Sequence, residues 1–316
     1  MASSFTLRTR VVSAAIASAL VLSSPAAVLA APAPVTGVET HVSTDSLVAV
    51  PARVNFADAE TIGLPALKKI RSEMWDINPP WDHMPLREAA GHEGLDTKEK
   101  YVNAVAIDPE LTKLAVQRSA EFIPAGGHRY GGLVHTRPFI ECSAACLPPS
   151  DIPSSENLAL AKNDFGNAMY DAIYHQWGHR ELKNLQRRDG AFALDSGHLY
   201  NLLDPTRRWY GFGSPMVYID GKWYGSSAAV ATSFPLGNSV LEDKEIRDNL
   251  YRSALKGETP TGIIAYTEPP EPSEDDHYQE DRGSSASNVI GIIVGIISLL
   301  AVVAKVVSPY MHRFGF

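Results

Sequence analysis

Cysteine is nearly absent: the 316 residues hold two, Cys142 and Cys146. A structural zinc site of four cysteines, or of two cysteines and two histidines, has no support here. There is no second cysteine pair, and His128 and His135 would complete such a site only by long-range accident. A surplus of positive charge is also missing. Lys and Arg number 28 against 36 Asp and Glu, giving a net charge of -8. With no basic patch, this balance argues against a nucleic-acid partner. Two hydrolase signatures are incomplete. His175 and His179 have the i,i+4 spacing of two zinc ligands on one helix face, but Gln176 stands where the zincin pattern needs a Glu, so a solvated face is the ordinary reading. Gly213-Ser214-Pro215 and Gly225-Ser226-Ser227 lack the second glycine of a nucleophile elbow. No internal repeat is evident.

The two ends set an expectation about location. Residues 1–30 read as a signal peptide: Arg8 and Arg10 precede an apolar run from Val11 to Leu22, with cleavage expected after Ala30. Residues 288–307 read as a transmembrane helix. Val289 to Ala304 is apolar except for Ser298, and the run continues past Lys305. At ~1.5 Å per residue, about 19 residues cover ~28 Å, close to a bilayer's hydrocarbon thickness. Lys305, His312 and Arg313 flank one end, which predicts a single-pass protein of the cell membrane, its bulk extracytoplasmic and 308–316 as a cytoplasmic tail. In an exported chain Cys142 and Cys146 can oxidise. That disulfide would close a loop of about five residues, worth ~2 kcal/mol before strain.

Between the ends, 31–64 reads as a lead-in segment, 65–236 as the globular domain and 237–287 as an acidic, Pro-rich stalk. Acids concentrate from Glu268 to Asp281 around Pro269, Pro270 and Pro272, a composition that favours extended chain. Within the domain, Leu67 to Met74 and Leu95 to Ala104 predict helices separated by a Pro-rich loop. The clearest helix is Pro109 to Phe122, with Asp108 as N-cap, Pro109 in the first turn and Leu111, Leu114, Ala115 and Phe122 along one face. Glu121 near its end reads as surface decoration. Another helix spans about Phe165 to Leu185. Asp220-Gly221 between two aromatic and β-branched runs predicts a hairpin, with Ala228 to Thr232 as a closing strand. Tyr200, Trp209, Tyr210 and Trp223 are open to three readings: core packing, a platform for sugar rings, or the lining of an apolar groove.

Three short motifs follow one another in a fixed order: His135-Thr136-Arg137-Pro138, Ser155-Glu156-Asn157, and Ser196-Gly197-His198-Leu199-Tyr200-Asn201-Leu202-Leu203-Asp204-Pro205. In wording and order they resemble bacterial members of the CAP superfamily, also called SCP-like or cysteine-rich secretory proteins. The resemblance covers about Leu67 to Phe234, and the run from Asp108 to Phe122 is similar to the first long helix of CAP domains. It implies an α+β fold, a three-layer α-β-α sandwich, with a cleft lined by two histidines and two acids. Carried onto this chain, the cleft residues are His135, Glu156 and His198. The second acid usually stands three residues after a Trp; Glu181 stands four after Trp177, so His179 and Glu181 both remain open for the fourth place. Ser155 replaces the usual Gly, and Phe139-Ile140 the usual Asp-Gly. Asn157 and Arg137 are supporting residues, Arg137 bracing the cleft through Glu156 or Asp204.

Two imidazoles and two carboxylates allow two chemistries. His135 and His198 would ligate Zn2+ or another divalent cation, with the acids completing the shell or acting as general base. Alternatively each His bonds a Glu in a polar network without turnover. The resemblance implies a binding or interaction module at the cell envelope, its partners the membrane and a cell-wall or lipid ligand. The runner-up is a metal-dependent hydrolase of envelope peptides or glycans. A lipid carrier is a third class.

Overall fold

The computed structural model describes residues 35–37, 43–123, 135, 154–160, 167–237 and 239–272. The expected signal peptide and transmembrane helix, Arg137, and Cys142 and Cys146 lie outside the described residues. No helix among the described residues is long and apolar enough to cross a membrane.

The fold is mixed α/β, built on a seven-stranded sheet. Its strands are β1 (Leu47–Asn55), β4 (Ala106–Ile107), β5 (Ser154–Leu160), β6 (Trp209–Gly213), β7 (Met216–Ile219), β8 (Lys222–Thr232) and β9 (Glu245–Ser253). A small separate hairpin joins β2 (Pro80–Trp81) to β3 (Met84–Pro85). Strand β8 is the long central element. Its first half pairs with β7 and its second half with β6, while β5 runs along its other edge. Beyond β7 come β1 and then β9, paired in antiparallel register from Leu47↔Ser253 to Asn55↔Glu245. At the predicted hairpin, Asp220 and Gly221 take positive φ values of 53° and 80°, the conformation a tight two-residue turn demands.

The helices are α1 (Leu64–Ile77), α2 (Leu86–His92), α3 (Lys98–Asn103), α4 (Pro109–Phe122), α5 (Ala168–Tyr170), α6 (Arg180–Arg187) and α7 (Gly197–Leu203). A π-helical stretch, Asp171–His179, joins α5 to α6 without a break. Strand alternation splits the apolar residues into two cores. Val50, Ala52, Val54, Leu158, Ala228, Val230 and Leu250 pack with the Leu111, Leu114 and Ala115 stripe of α4. Their neighbours Ala159, Tyr210, Phe212, Ala229 and Ala231 pack on the other side with Leu67, Ile70, Ile173, Trp177 and Leu199. Helix α4 starts as its sequence predicts, with Asp108 Oδ1 accepting from the Glu110 and Leu111 backbone N–H groups at 2.9 and 3.0 Å. It can lie directly on β6 because Gly211 and Gly213 face it. A Cβ at either position would stand 2.0 to 2.3 Å from α4 backbone atoms.

The structure differs from the sequence reading in two places outside the central domain. Strand β1 lies in the expected lead-in, and β9 in the expected stalk. The charges of β9 (Glu245, Arg247, Asp248, Arg252) obscure a strand whose Leu250 and Tyr251 are buried and whose whole ladder is satisfied by β1. Each strand reads as irregular alone, because its partner lies some 200 residues away. Helix α2 also forms inside the expected Pro-rich loop, starting directly after Pro85.

Candidate functional site

The Glu-Asn pair on β5 organises the site. Successive residues of a strand point to opposite faces, so Glu156 turns toward α4 and Asn157 toward α7. Glu156 Oε2 accepts from Arg118 Nε at 2.7 Å, and His135 Nδ1 lies 2.8 Å from Oε1. Asn157 donates to the His198 carbonyl at 3.1 Å and accepts from Asn201 at 2.9 Å. The dipeptide therefore ties one histidine to each face.

On the α4 face the carboxylate is held by charge. Arg118 is fully buried, clamped between Glu156 and Glu121, whose Oε2 accepts from Nη1 at 2.7 Å. Burial alone would lower the Arg118 guanidinium, but the charges of Glu156 and Glu121 outweigh it and raise it above its ordinary value. Glu121 also accepts from Gln117, which donates on to the Tyr251 carbonyl of β9. Glu121 is thus no surface decoration; it is wholly buried, because Arg118 supplies the compensating charge that a buried acid needs. Sequence reasoning passed over Arg118 as a site member. The signal was there: position 118 continues the apolar stripe of Leu111, Leu114 and Ala115, with an acid three residues on.

On the opposite face the carboxylate is held by dipoles. Glu181, at the start of α6, is 2.6 Å from His198 Nδ1 through Oε1, and its Oε2 accepts from the Leu199 backbone N–H at 3.0 Å. Ser196 makes no side-chain cap, so Glu181 satisfies the first turn of α7 from outside. The other end of α7 is held by Arg71, fully buried, which donates to the Leu202 and Asp204 carbonyls at 2.9 and 2.7 Å. The His198 ring stacks on Trp177 at 6.0 Å, and Trp177 Nε1 donates to the Leu158 carbonyl of β5. Trp177 comes within reach because Gly178 lets the π-helical stretch press on Ile70 of α1.

The fourth position falls to Glu181. His179 is at the surface, its Nε2 2.8 Å from Glu73, and His175 is exposed beside Tyr174. The four residues come together two by two, His135 with Glu156 and His198 with Glu181. Among the described residues, no three His, Cys, Asp or Glu side chains gather in an arrangement that would hold a metal ion. Of the aromatic residues named from sequence, Tyr210 is core; Trp223 is equally buried, each 1% exposed, but outside the two cores, beneath the Arg53 guanidinium. Tyr200 stacks on Trp81 at 4.7 Å, and its hydroxyl is pushed up to about 12 by burial, with Asp82 and Asp204 adding to the effect. Asp204 itself accepts from the Thr206 N–H and hydroxyl. No known protein family matches the chain, and no curated protein matches it.

Proposed function

We propose that this chain is a CAP-type, membrane-anchored module that binds a ligand of the bacterial cell envelope through His135 and His198. One observation carries the reading: both imidazoles spend Nδ1 on a buried carboxylate, which fixes the rings and leaves Nε2 as the edge able to meet a ligand. His135 is 43% exposed at its side chain and His198 23%, while Glu156 and Glu181 are 3% and 11%. Buried carboxylates behind accessible rings is the order expected of a recognition surface. Two cores on opposite faces of the sheet support the three-layer α-β-α sandwich of the CAP fold.

A fixed neutral ring with its Nδ1 proton on the carboxylate offers Nε2 as an acceptor; the protonated ring offers a second donor. Hydroxyls of a cell-wall glycan, or the polar groups of a lipid head, fit that chemistry. The test is co-sedimentation of the full chain in detergent with isolated cell-wall glycan. Binding should be saturable and at least tenfold weaker in the His135→Ala/His198→Ala variant. Release of soluble fragments would favour the hydrolase. Sedimentation unchanged in the folded variant would remove these histidines from recognition.

A further inference from the structure

The helical layer opposite α4 covers only part of the sheet, since no β1 or β9 side chain belongs to that core. The rest of this face is crossed by residues 261–272. Ile264 O accepts from the Asn249 amide and the Tyr251 hydroxyl, and Pro270 O accepts from Trp223 Nε1 at 2.7 Å. Pro269 is buried between the more exposed Glu268 and Pro270.

What lies beneath the segment is unusual for a sheet surface. Arg53 and Arg247 stand directly opposite each other in the β1–β9 register. Like charges so placed disfavour the pairing they sit on. Glu268 Oε1 relieves this by lying 3.0 Å from Arg53 and 3.1 Å from Arg247. Glu271 contacts the same two guanidiniums at 2.8 and 3.6 Å. The Arg53 guanidinium also sits 4.9 Å above the Trp223 ring, and its Nε is buried with no acceptor among the described residues.

We infer that Arg53, Arg247 and Trp223 form a recognition site for acidic, proline-containing peptides, which the chain's own Glu268-Pro269-Pro270-Glu271 occupies. Each element reads a different part of such a ligand. The arginine pair takes two carboxylates three residues apart on either side of a Pro-Pro step. The indole N–H takes a proline carbonyl, and prolines hold the peptide extended at little entropic cost. The resident segment leaves Arg53 Nε without an acceptor, so it does not exhaust the site and a better-fitted peptide can displace it. The segment is therefore a built-in competitor whose release would open the face of β1 and β9.

The test uses the full chain in detergent and a fluorescein-labelled peptide of residues 266–272. The variant Glu268→Lys/Glu271→Lys changes only exposed side chains and repels the resident segment from the arginines. Hydrogen exchange of 264–272 should rise in it, and fluorescence polarisation should show the peptide binding at least tenfold more tightly than to the unaltered chain. A peptide with both acids changed to Gln should bind at least tenfold more weakly. Three results would each overturn the inference: a segment still protected in the variant, no saturable binding once it is released, or equal binding of the Gln peptide.

Discussion

Glu156 and Glu181 do the same thing to their histidines and are held in different ways. Glu156 sits in a dry interior where another charge, Arg118, was buried to keep it company. Among the described residues no Lys or Arg pairs with Glu181; one oxygen meets His198 and the other takes a backbone N–H at the head of α7. Buried ions contribute little net stability but are costly to orphan, whereas a carboxylate at a helix N-terminus contributes modestly and locally. The first arrangement ties His135 to the integrity of the whole α4–sheet packing. The second ties His198 to the aim of one short helix. Losing the first should threaten the fold, and losing the second should mainly loosen the site.

The sharpest way to break that contrast is Arg118→Met. It leaves Glu121 and Glu156 buried without their guanidinium and should cost about 3–5 kcal/mol in chemical denaturation. A cost below about 1 kcal/mol would mean that the charge clamp is not what anchors this face. Glu181→Ala should cost less, about 1–3 kcal/mol, chiefly through the Leu199 N–H left without its acceptor. Its larger signature should be faster hydrogen exchange across 197–201 with α4 unaffected. Equal exchange in both helices would show that the two faces are not independent. Truncating the rings comes next. His198→Ala loses the stack on Trp177 and should cost about 1 kcal/mol. His135→Ala, at a half-exposed side chain, should fall within about 0.5 kcal/mol. Reversal of that order would place the structural weight on His135 instead.

The same contrast explains how much was legible beforehand. Local features were written plainly: the Asp108 cap and Pro109 start of α4, and the Asp220-Gly221 hairpin. Each depends on neighbours within a few residues. What escaped depends on distance. The sequence names no partner for Arg118 or Arg71; the structure supplies Glu156 for one and the α7 carbonyls for the other. Strands β1 and β9 fell outside the expected domain because each has only the other to pair with along its full length. Glu121 was misread despite a near partner: Arg118 stands only three residues away, on the stripe that α4 buries. The order of the motifs held the His and Glu residues together on paper, and one of its two readings gave each His a Glu; their separation onto two faces follows from β-strand alternation at residues 156 and 157.

The weakest effect belongs to the same Arg–Glu chemistry placed at the surface. Tyr266's hydroxyl bond, and then Arg53 and Arg247, hold the Glu268 carboxyl below its usual range; Arg53 does the same for Glu271. A carboxylate lowered by folding contributes its full stabilisation above its unfolded pKa of ~4.3 and loses it as pH falls through the folded value. The clasp over Trp223 should therefore be complete at neutral pH and loosen only below about pH 4, following the Trp223 indole N–H resonance assigned with Trp223→Phe. Added salt should loosen it too, because exposed pairs are screened within ~10 Å at 0.1 M. The buried Arg118–Glu156 pair should not respond to salt over the same range. If both respond alike, burial is not what separates them, and the distinction between a charge that anchors the fold and one that merely latches a segment would have to be drawn from geometry instead.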